Sequence, residues 1–238
     1  MCGRFVSATP PGILADRFSV DEVVVPARPL PKRWNVAPTD ETLAVAEHSG
    51  VRKLGVFRWG LIPTWADDGR DAARRINARA ETVVVKPAFR DAFARRRCIV
   101  PADGFYEWRA GDDGRKQAYF IGARDGAPLA FAGLWSVWTP RPPSDLRLFD
   151  DGIEPDPVRS CTIVTTNANE TMAPLHDRMP VILPPDAWDE WLDRTFDDVV
   201  ALQHLLVPAR DDILEIRAVG PDVNDVRRDG PHLVEAVR

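Results

Sequence analysis

The sequence predicts an α+β fold: a single domain over residues 1–238 with a mixed, mostly antiparallel sheet, barrel-like at its core and flanked by helices. Three observations carry this reading. Short apolar runs bounded by glycine, proline and aspartate recur along the chain, the pattern of strands punctuated by turns. Segments with helical spacing are few, short and interspersed among those runs. No shift of composition, internal repeat or low-complexity tract divides the 238 residues, which are long enough to bury one full core.

The elements follow in order. Thr9, Pro10 and Pro11 start a short helix that sets Ile13, Leu14 and Phe18 on one face. TLAVAE at 42–47, a turn at 48–50 and VRKLGVFRWG at 51–60 read as two strands. A polar, arginine-rich connection after Asp67 leads to INARAET at 76–82, which taken locally reads as a helix cap and one helical turn. Lys86 to Arg97 carries Phe89 and Phe93 four apart, as a helix packing two rings on one side does. CIVPADGFYEW, AYFIG and LAFAGLWSVW, separated by AGDDGRK and ARDGAP, are predicted to form an antiparallel meander. Residues 139–158, rich in proline and aspartate, are expected to be a mobile surface insertion between strands. SCTIVTT at 160–166 and MPVIL at 179–183 are buried-type strands. Asp186 to Thr195 and Asp198 to Leu206 are helices, with Trp188 and Trp191 as core residues. ILEIRAV is a late strand, followed by a turn-rich tail from Gly220.

Composition excludes several classes of function. The net charge of −5 argues against a protein that coats nucleic acid indiscriminately. The distribution is uneven, however. Residues 70–97 hold nine Lys/Arg against three Asp/Glu, whereas residues 186–238 hold thirteen acidic against six basic residues. One basic groove on an acidic body suits a local phosphate-bearing ligand. Arg95, Arg96 and Arg97 either belong to that groove or form the solvated last turn of a helix. The three cysteines, Cys2, Cys98 and Cys161, are far apart and lack zinc spacing, so neither a disulfide framework nor a metal is expected. No run of 18 apolar residues or signal pattern is present, and a cytoplasmic protein without membrane attachment is expected.

Cys2 carries the most specific chemistry. Removal of Met1 would leave a chain that begins with an amine and a thiol on adjacent carbons. An α-amine with pKa about 7.7 to 8.0 is far more often neutral at pH 7 than a lysine, so it forms Schiff bases readily. The thiol can then add to the imine carbon and close a five-membered thiazolidine. An aldehyde is the electrophile such a pair traps. Three further segments combine polar residues with turn formers: INARAET, DGFYEW at 103–108 and LHDRMP at 175–180. Each has a bland reading, Glu107 as the solvent-facing member of an alternating strand and His176 as part of a hydrogen-bonded turn.

Taken together and in order, MCGRF, WNVAPT at 34–39, RWGLIPTWA at 58–66, INARAET, PADGFYEW, IVTT at 163–166 and HDRMPVIL resemble the SRAP family, the SOS-response-associated peptidases. The resemblance runs from residue 2 to about residue 194. It implies an abasic site processing protein that captures the lesion covalently in single-stranded DNA. An abasic deoxyribose opens to an aldehyde, which supplies the electrophile. By resemblance Cys2 is the nucleophile through nitrogen and sulfur, and Asn77 orients its amine. Glu107 transfers protons during ring opening and loss of water, work suited to a carboxyl in a partly apolar setting that Tyr106 and Trp108 could provide. His176 moves protons to and from the sugar oxygen. Arg4, Arg79 and Arg178 match arginines that hold phosphates, and Trp65 an aromatic that stacks on a flanking base. Asn35, Pro38 and Thr165 match further DNA-contact positions. The chain departs at Ala66 from a member of the family that has two adjacent tryptophans where this chain has Trp65 then Ala66, and it differs again in the aspartate-rich stretch from Ala66 to Asp71.

The resemblance implies no cofactor. The expected partner is single-stranded DNA containing abasic sites, with the replication machinery as a further candidate, and the expected form is a cytoplasmic monomer at the nucleoid when bound. The peptidase label of the family corresponds to loss of the protein's own Met1, and strand cleavage as a lyase is compatible with the same residues. Two other classes fit parts of the sequence. One is an N-terminal-nucleophile or Cys/His amidohydrolase with Cys2 as thiolate. The other is a non-covalent single-strand-binding module in which Cys2 has no role.

Overall fold

Hydrophobic alternation makes strands the predominant regular element, and the computed structural model describes residues 2–24, 30–111, 114–140 and 155–237. In chain order the strands are β1 (Phe5–Ser7), β2 (Glu22–Val24), β3 (Arg33–Val36), β4 (Glu41–His48), β5 (Val51–Trp59), β6 (Asn77–Arg79), β7 (Arg97–Ala102), β8 (Gly104–Ala110), β9 (Lys116–Ala123), β10 (Leu129–Trp138), β11 (Val158–Asn167), β12 (Arg178–Pro180) and β13 (Leu214–Ala218). Among the described residues four short helices accompany them: α1 (Pro11–Arg17), α2 (Arg90–Arg95), α3 (Trp188–Leu192) and α4 (Val199–His204). Among the described residues no helix is long and apolar enough to cross a membrane.

The strands divide between two sheets. The smaller runs β13-β9-β8-β1-β3, and the larger β12-β11-β10-β7-β4-β5-β2 with β6 beside β11. Most pairings are antiparallel, as predicted; the parallel ones are β2 with β5, and β11 with β5 and β6. The larger sheet curls until β5 meets β11 through Arg58–Ser160 and Trp59–Cys161. It is barrel-like in curvature but is not a closed barrel.

The predicted meander is corrected by this division. β8 and β9 form a hairpin, but β7 and β10 pair in the other sheet, so the chain changes sheets at Asp103 and again at the β9–β10 turn. Local alternation identifies strands without identifying partners, because any apolar strand face can pack in either sheet. INARAET is likewise no helix: residues 70–75 form a 3-10 turn and Asn77–Arg79 a strand whose partner, β11, lies far along the chain. The helix with Phe89 and Phe93 is shorter than the spacing predicts, though both rings are buried. In α1, Leu14 and Phe18 are buried and Ile13 is exposed, so the apolar face is narrower than expected. The predicted insertion at 139–158 lies mostly outside the described residues, as does Met1.

Two large apolar clusters dominate the interior among the described residues. One packs the larger sheet against the helices through Leu54, Phe93, Trp188 and Trp191, which confirms the tryptophans as core. The other contains Cys2, Phe5, Trp59, Phe105, Phe131, Met172 and Met179, drawn from both sheets. Arg97 is no groove residue and no solvated helix end. It is the first residue of β7, buried, and its guanidinium donates to the carbonyls of Trp191, Phe93, Ala94, Asp193 and Phe196. A cation with five donors can join α2 to the end of α3 where a shorter side chain could not.

Candidate functional site

Cys2 enters the structure just ahead of β1, a strand held on both sides. Phe5 pairs with Val36 of β3 and with Phe105 of β8, and the Tyr106 amide donates to the Arg4 carbonyl at 3.0 Å. That antiparallel register carries β8 past the start of the chain and brings Glu107 level with Gly3. Glu107 is buried, so it is not the solvent-facing member of an alternating pair. Alternation also separates it from its sequence neighbours. Phe105 faces the cluster that contains Cys2, whereas Tyr106 and Trp108 face a different cluster under the C-terminal tail. The apolar setting expected from Tyr106 and Trp108 is therefore supplied by the interior shared with Cys2.

Asn77 closes the site from the larger sheet. The pairing of β6 with β11, Ile163 opposite Asn77, holds the strand, and the Asn77 Nδ2 donates to the Cys2 carbonyl at 2.8 Å. Its Oδ1 is buried and has no hydrogen-bond partner among the described residues. Trp59 supports this junction from below: its Nε1 donates to the Ile76 carbonyl at 3.0 Å, and its ring meets Phe5 edge-on at 4.9 Å. Cys2 itself is fully buried. Burial pushes its thiol well above the usual range, and the charge of Glu107 adds to the effect.

His176 sits on the loop between β11 and β12. Met172 and Leu175 of that loop pack on the cluster that includes Cys2, and the loop is tied by the His176 amide to the Met172 carbonyl at 3.1 Å. The His176 Nδ1 lies 2.9 Å from the Arg178 amide and 2.7 Å from Asp177 Oδ1. One ring nitrogen cannot accept from the amide and donate to the carboxylate together. The amide has a fixed hydrogen and Asp177 is largely exposed, so the geometry favours Nδ1 as acceptor, with Nε2 carrying the proton of the neutral ring.

The residues matched to DNA contacts fall into two groups. Arg79, two residues past Asn77 on β6, and Trp65, on the loop after β5, are exposed. Pro38 is half-buried just after β3. The others are tied within the protein. Arg4 Nη1 donates to Asn35 Oδ1 and to the Val223 carbonyl, both at 2.9 Å. Asn35 is buried and its Nδ2 faces the carbonyls of Asp225 and Arg228 at 3.1 and 3.0 Å, so the pair fastens the C-terminal tail to β1 and β3. Thr165 is buried in β11, between Arg79 of β6 and Pro180 of β12. Arg178 is buried and paired with Glu81. Glu81 and the tail residues were given no role by sequence reasoning. The sequence signal for Glu81 is an acid two residues after Arg79 in INARAET. Surface cavities of about 750, 530 and 360 Å³ lie elsewhere and are not lined by Cys2, Asn77, Glu107 or His176.

All seven motifs thus meet around β1, β6 and β11, and comparison with known proteins gives the arrangement a context. The family described as SOS response associated peptidase (SRAP) matches residues 1–226. This chain belongs to the SRAP family. Within the family, the abasic site processing protein YoaM of Bacillus subtilis is 39% identical over 236 residues, covering 99% of this chain and 98% of that one. The abasic site processing protein YedK of Escherichia coli is 32% identical over 242 residues and the whole of both chains. The abasic site processing protein HMCES of Gallus gallus is 31% identical over 206 residues, 77% of this chain and 57% of its own. A solved protein of Bacteroides thetaiotaomicron shares the SRAP fold over the full length of both chains, with a TM-score of 0.81 at 23% identity.

Proposed function

We propose that the protein processes abasic sites in single-stranded DNA by forming a covalent link to Cys2 once Met1 has been removed. The observation that carries this reading is the junction at the chain start, where Asn77 holds the Cys2 carbonyl and the buried Glu107 lies close enough to act on the thiol electrostatically. In this reading the Cys2 amine attacks the C1′ aldehyde, Glu107 delivers the proton that lets water leave, and an imine forms. The thiol then adds across the C=N bond, its proton passes to nitrogen, and the thiazolidine closes. The elevated thiol supports this order. A thiol held protonated is a poor first nucleophile, so the amine acts first, and the same fact weighs against a Cys/His amidohydrolase that needs a thiolate.

In the same reading Asn77 Oδ1 accepts from the Cys2 amine and aims its lone pair, and His176 exchanges a proton with the sugar oxygen through Nε2. Arg79 and Arg178 hold phosphates, and Trp65 stacks on a flanking base. The relatives' names support the lesion as substrate. Single-stranded selectivity, lyase cleavage, a replication partner, monomeric state and a cytoplasmic, nucleoid-associated location are parts of the proposal.

The test is a single-stranded oligonucleotide with one abasic site, incubated with the Met1-processed protein and run on a denaturing gel. A slow band that requires both the lesion and Cys2, and vanishes in Cys2→Ala, is expected. Its absence with processed protein overturns covalent capture, and retained affinity without a band would favour a non-covalent binding module.

A further inference from the structure

Every Nη hydrogen of Arg178 is engaged. Nη1 donates to Glu81 Oε1 at 2.6 Å and to Asn167 Oδ1 at 2.8 Å, and Nη2 donates to Glu81 Oε2 at 3.0 Å and to the Thr165 carbonyl at 2.7 Å. The partners differ in kind. Thr165 and Asn167 belong to β11, the strand that also pairs with β12, and they grip the guanidinium within the sheet. Glu81 stands on the turn after β6, and its side chain is 48% exposed against 10% for Arg178. A buried cation therefore meets solvent through one exposed carboxylate in the bidentate geometry that a phosphate also offers. As the molecule stands, Arg178 has no Nη donor left for DNA.

We infer that Glu81 is a displaceable counter-ion, and that a backbone phosphate of single-stranded DNA replaces it on Arg178. The inference rests on the proposed reading that DNA crosses this face, and it names the exchange by which Arg178 becomes available. Leaving the guanidinium without any anion would be costly, so the free protein supplies its own carboxylate. Departure of Glu81 is eased by its exposure and by its place on a turn. Arg79 lies two residues away on the same segment, and its charge also acts on Glu81, so an incoming phosphate meets two cations as the carboxylate leaves. The exchange selects against single small anions, because a phosphate tethered to its neighbours in a strand competes at a higher effective concentration than a free one.

The experiment uses intact single-stranded DNA without a lesion, so Cys2 chemistry takes no part. Fluorescence anisotropy at low salt is expected to show Glu81→Gln binding about two- to fivefold tighter than wild type, the range of a half-exposed ion pair removed from competition. Glu235→Gln, which removes one negative charge from the exposed tail, should leave affinity unchanged. A second measurement keeps the wild-type side chain. In the free protein the hydrogen-bonded Arg178 holds the Glu81 carboxyl below its ordinary range. Carboxyl-carbon NMR titration should show it returning toward that range in the DNA complex, read beside Arg79, His176 and Asp177, the charged and titratable neighbours. Equal or weaker binding by Glu81→Gln, or a Glu81 that stays depressed with DNA bound, overturns the exchange. Failure of the wild-type protein to bind intact single strands overturns instead the reading on which the inference rests.

Discussion

In the proposed reaction Cys2 depends on its partners, and each is assigned a particular atom. Asn77 contributes an amide that holds the Cys2 carbonyl and leaves Oδ1 as an acceptor. Asn77→Ala should lower the rate of adduct formation by at least about tenfold while costing about 1 kcal/mol of stability, the net value of one hydrogen bond. Gel quantification beside thermal unfolding checks both, and an unchanged rate would remove Asn77 from orientation of the amine. Glu107→Gln keeps the shape and deletes the proton, so capture should slow by about 10²- to 10⁴-fold, the usual span of general acid–base catalysis. An equal rate would take Glu107 out of proton transfer. Arg79 is exposed on the same strand as Asn77, and Arg79→Ala should reduce the slope of log affinity against log salt by about 0.7 for single strands. An unaltered slope would place Arg79 away from any phosphate.

Strands and turns set these atoms in place. Gly60 ends β5 with φ of 131°, and a Cβ there would lie 2.6 Å from the Ala72 carbonyl oxygen. Its amide donates to the Cys161 carbonyl at 2.8 Å, which fixes where β5 leaves β11 and where the 3-10 turn before Asn77 begins. Gly60→Ala should therefore destabilise by about 2 kcal/mol or more through both strain and overlap. A denaturant midpoint unchanged from wild type would contradict the close approach. Arg97 is the second such point. Arg97→Met leaves five carbonyls without their donor and should cost about 3 kcal/mol or more, and Arg97→Lys should recover only part of the loss because a single ammonium cannot reach them all. Both positions shape the body that carries the site without touching it.

At the scale of the whole molecule, the buried thiols predict a loss of stability at the alkaline end. Cys2, Cys98 and Cys161 are fully buried, and burial raises all three thiols above their ordinary value of 9.0, Cys161 to about 12. A raised folded-state pKa means that the unfolded chain loses its proton first. The stabilising contribution is complete below about pH 9 and is lost as pH rises toward the folded values, by up to about 1.4 kcal/mol per pH unit for each thiol. Unfolding midpoints measured from pH 8 to 10.5 should fall with increasing steepness, and a flat profile would mean that the thiols are not buried in solution. Much of this molecule was legible from its residues. Alternation in TLAVAE and LAFAGLWSVW identified strands, and the order of seven motifs, beginning at MCGRF, pointed to the family. Those signals are local or additive along the chain. Which strands share a sheet, the face on which Glu107 stands, the burial of Arg97 and the pairing of Arg178 with Glu81 were not legible. They depend on registers between segments far apart in sequence, such as β1 with β8 and β6 with β11, which no local pattern encodes. The sequence by itself determined the strand-rich α+β class and the motifs that mark the family. Only the tertiary structure decided which groups reach it and which arginines are already engaged, because those outcomes follow from packing across two sheets.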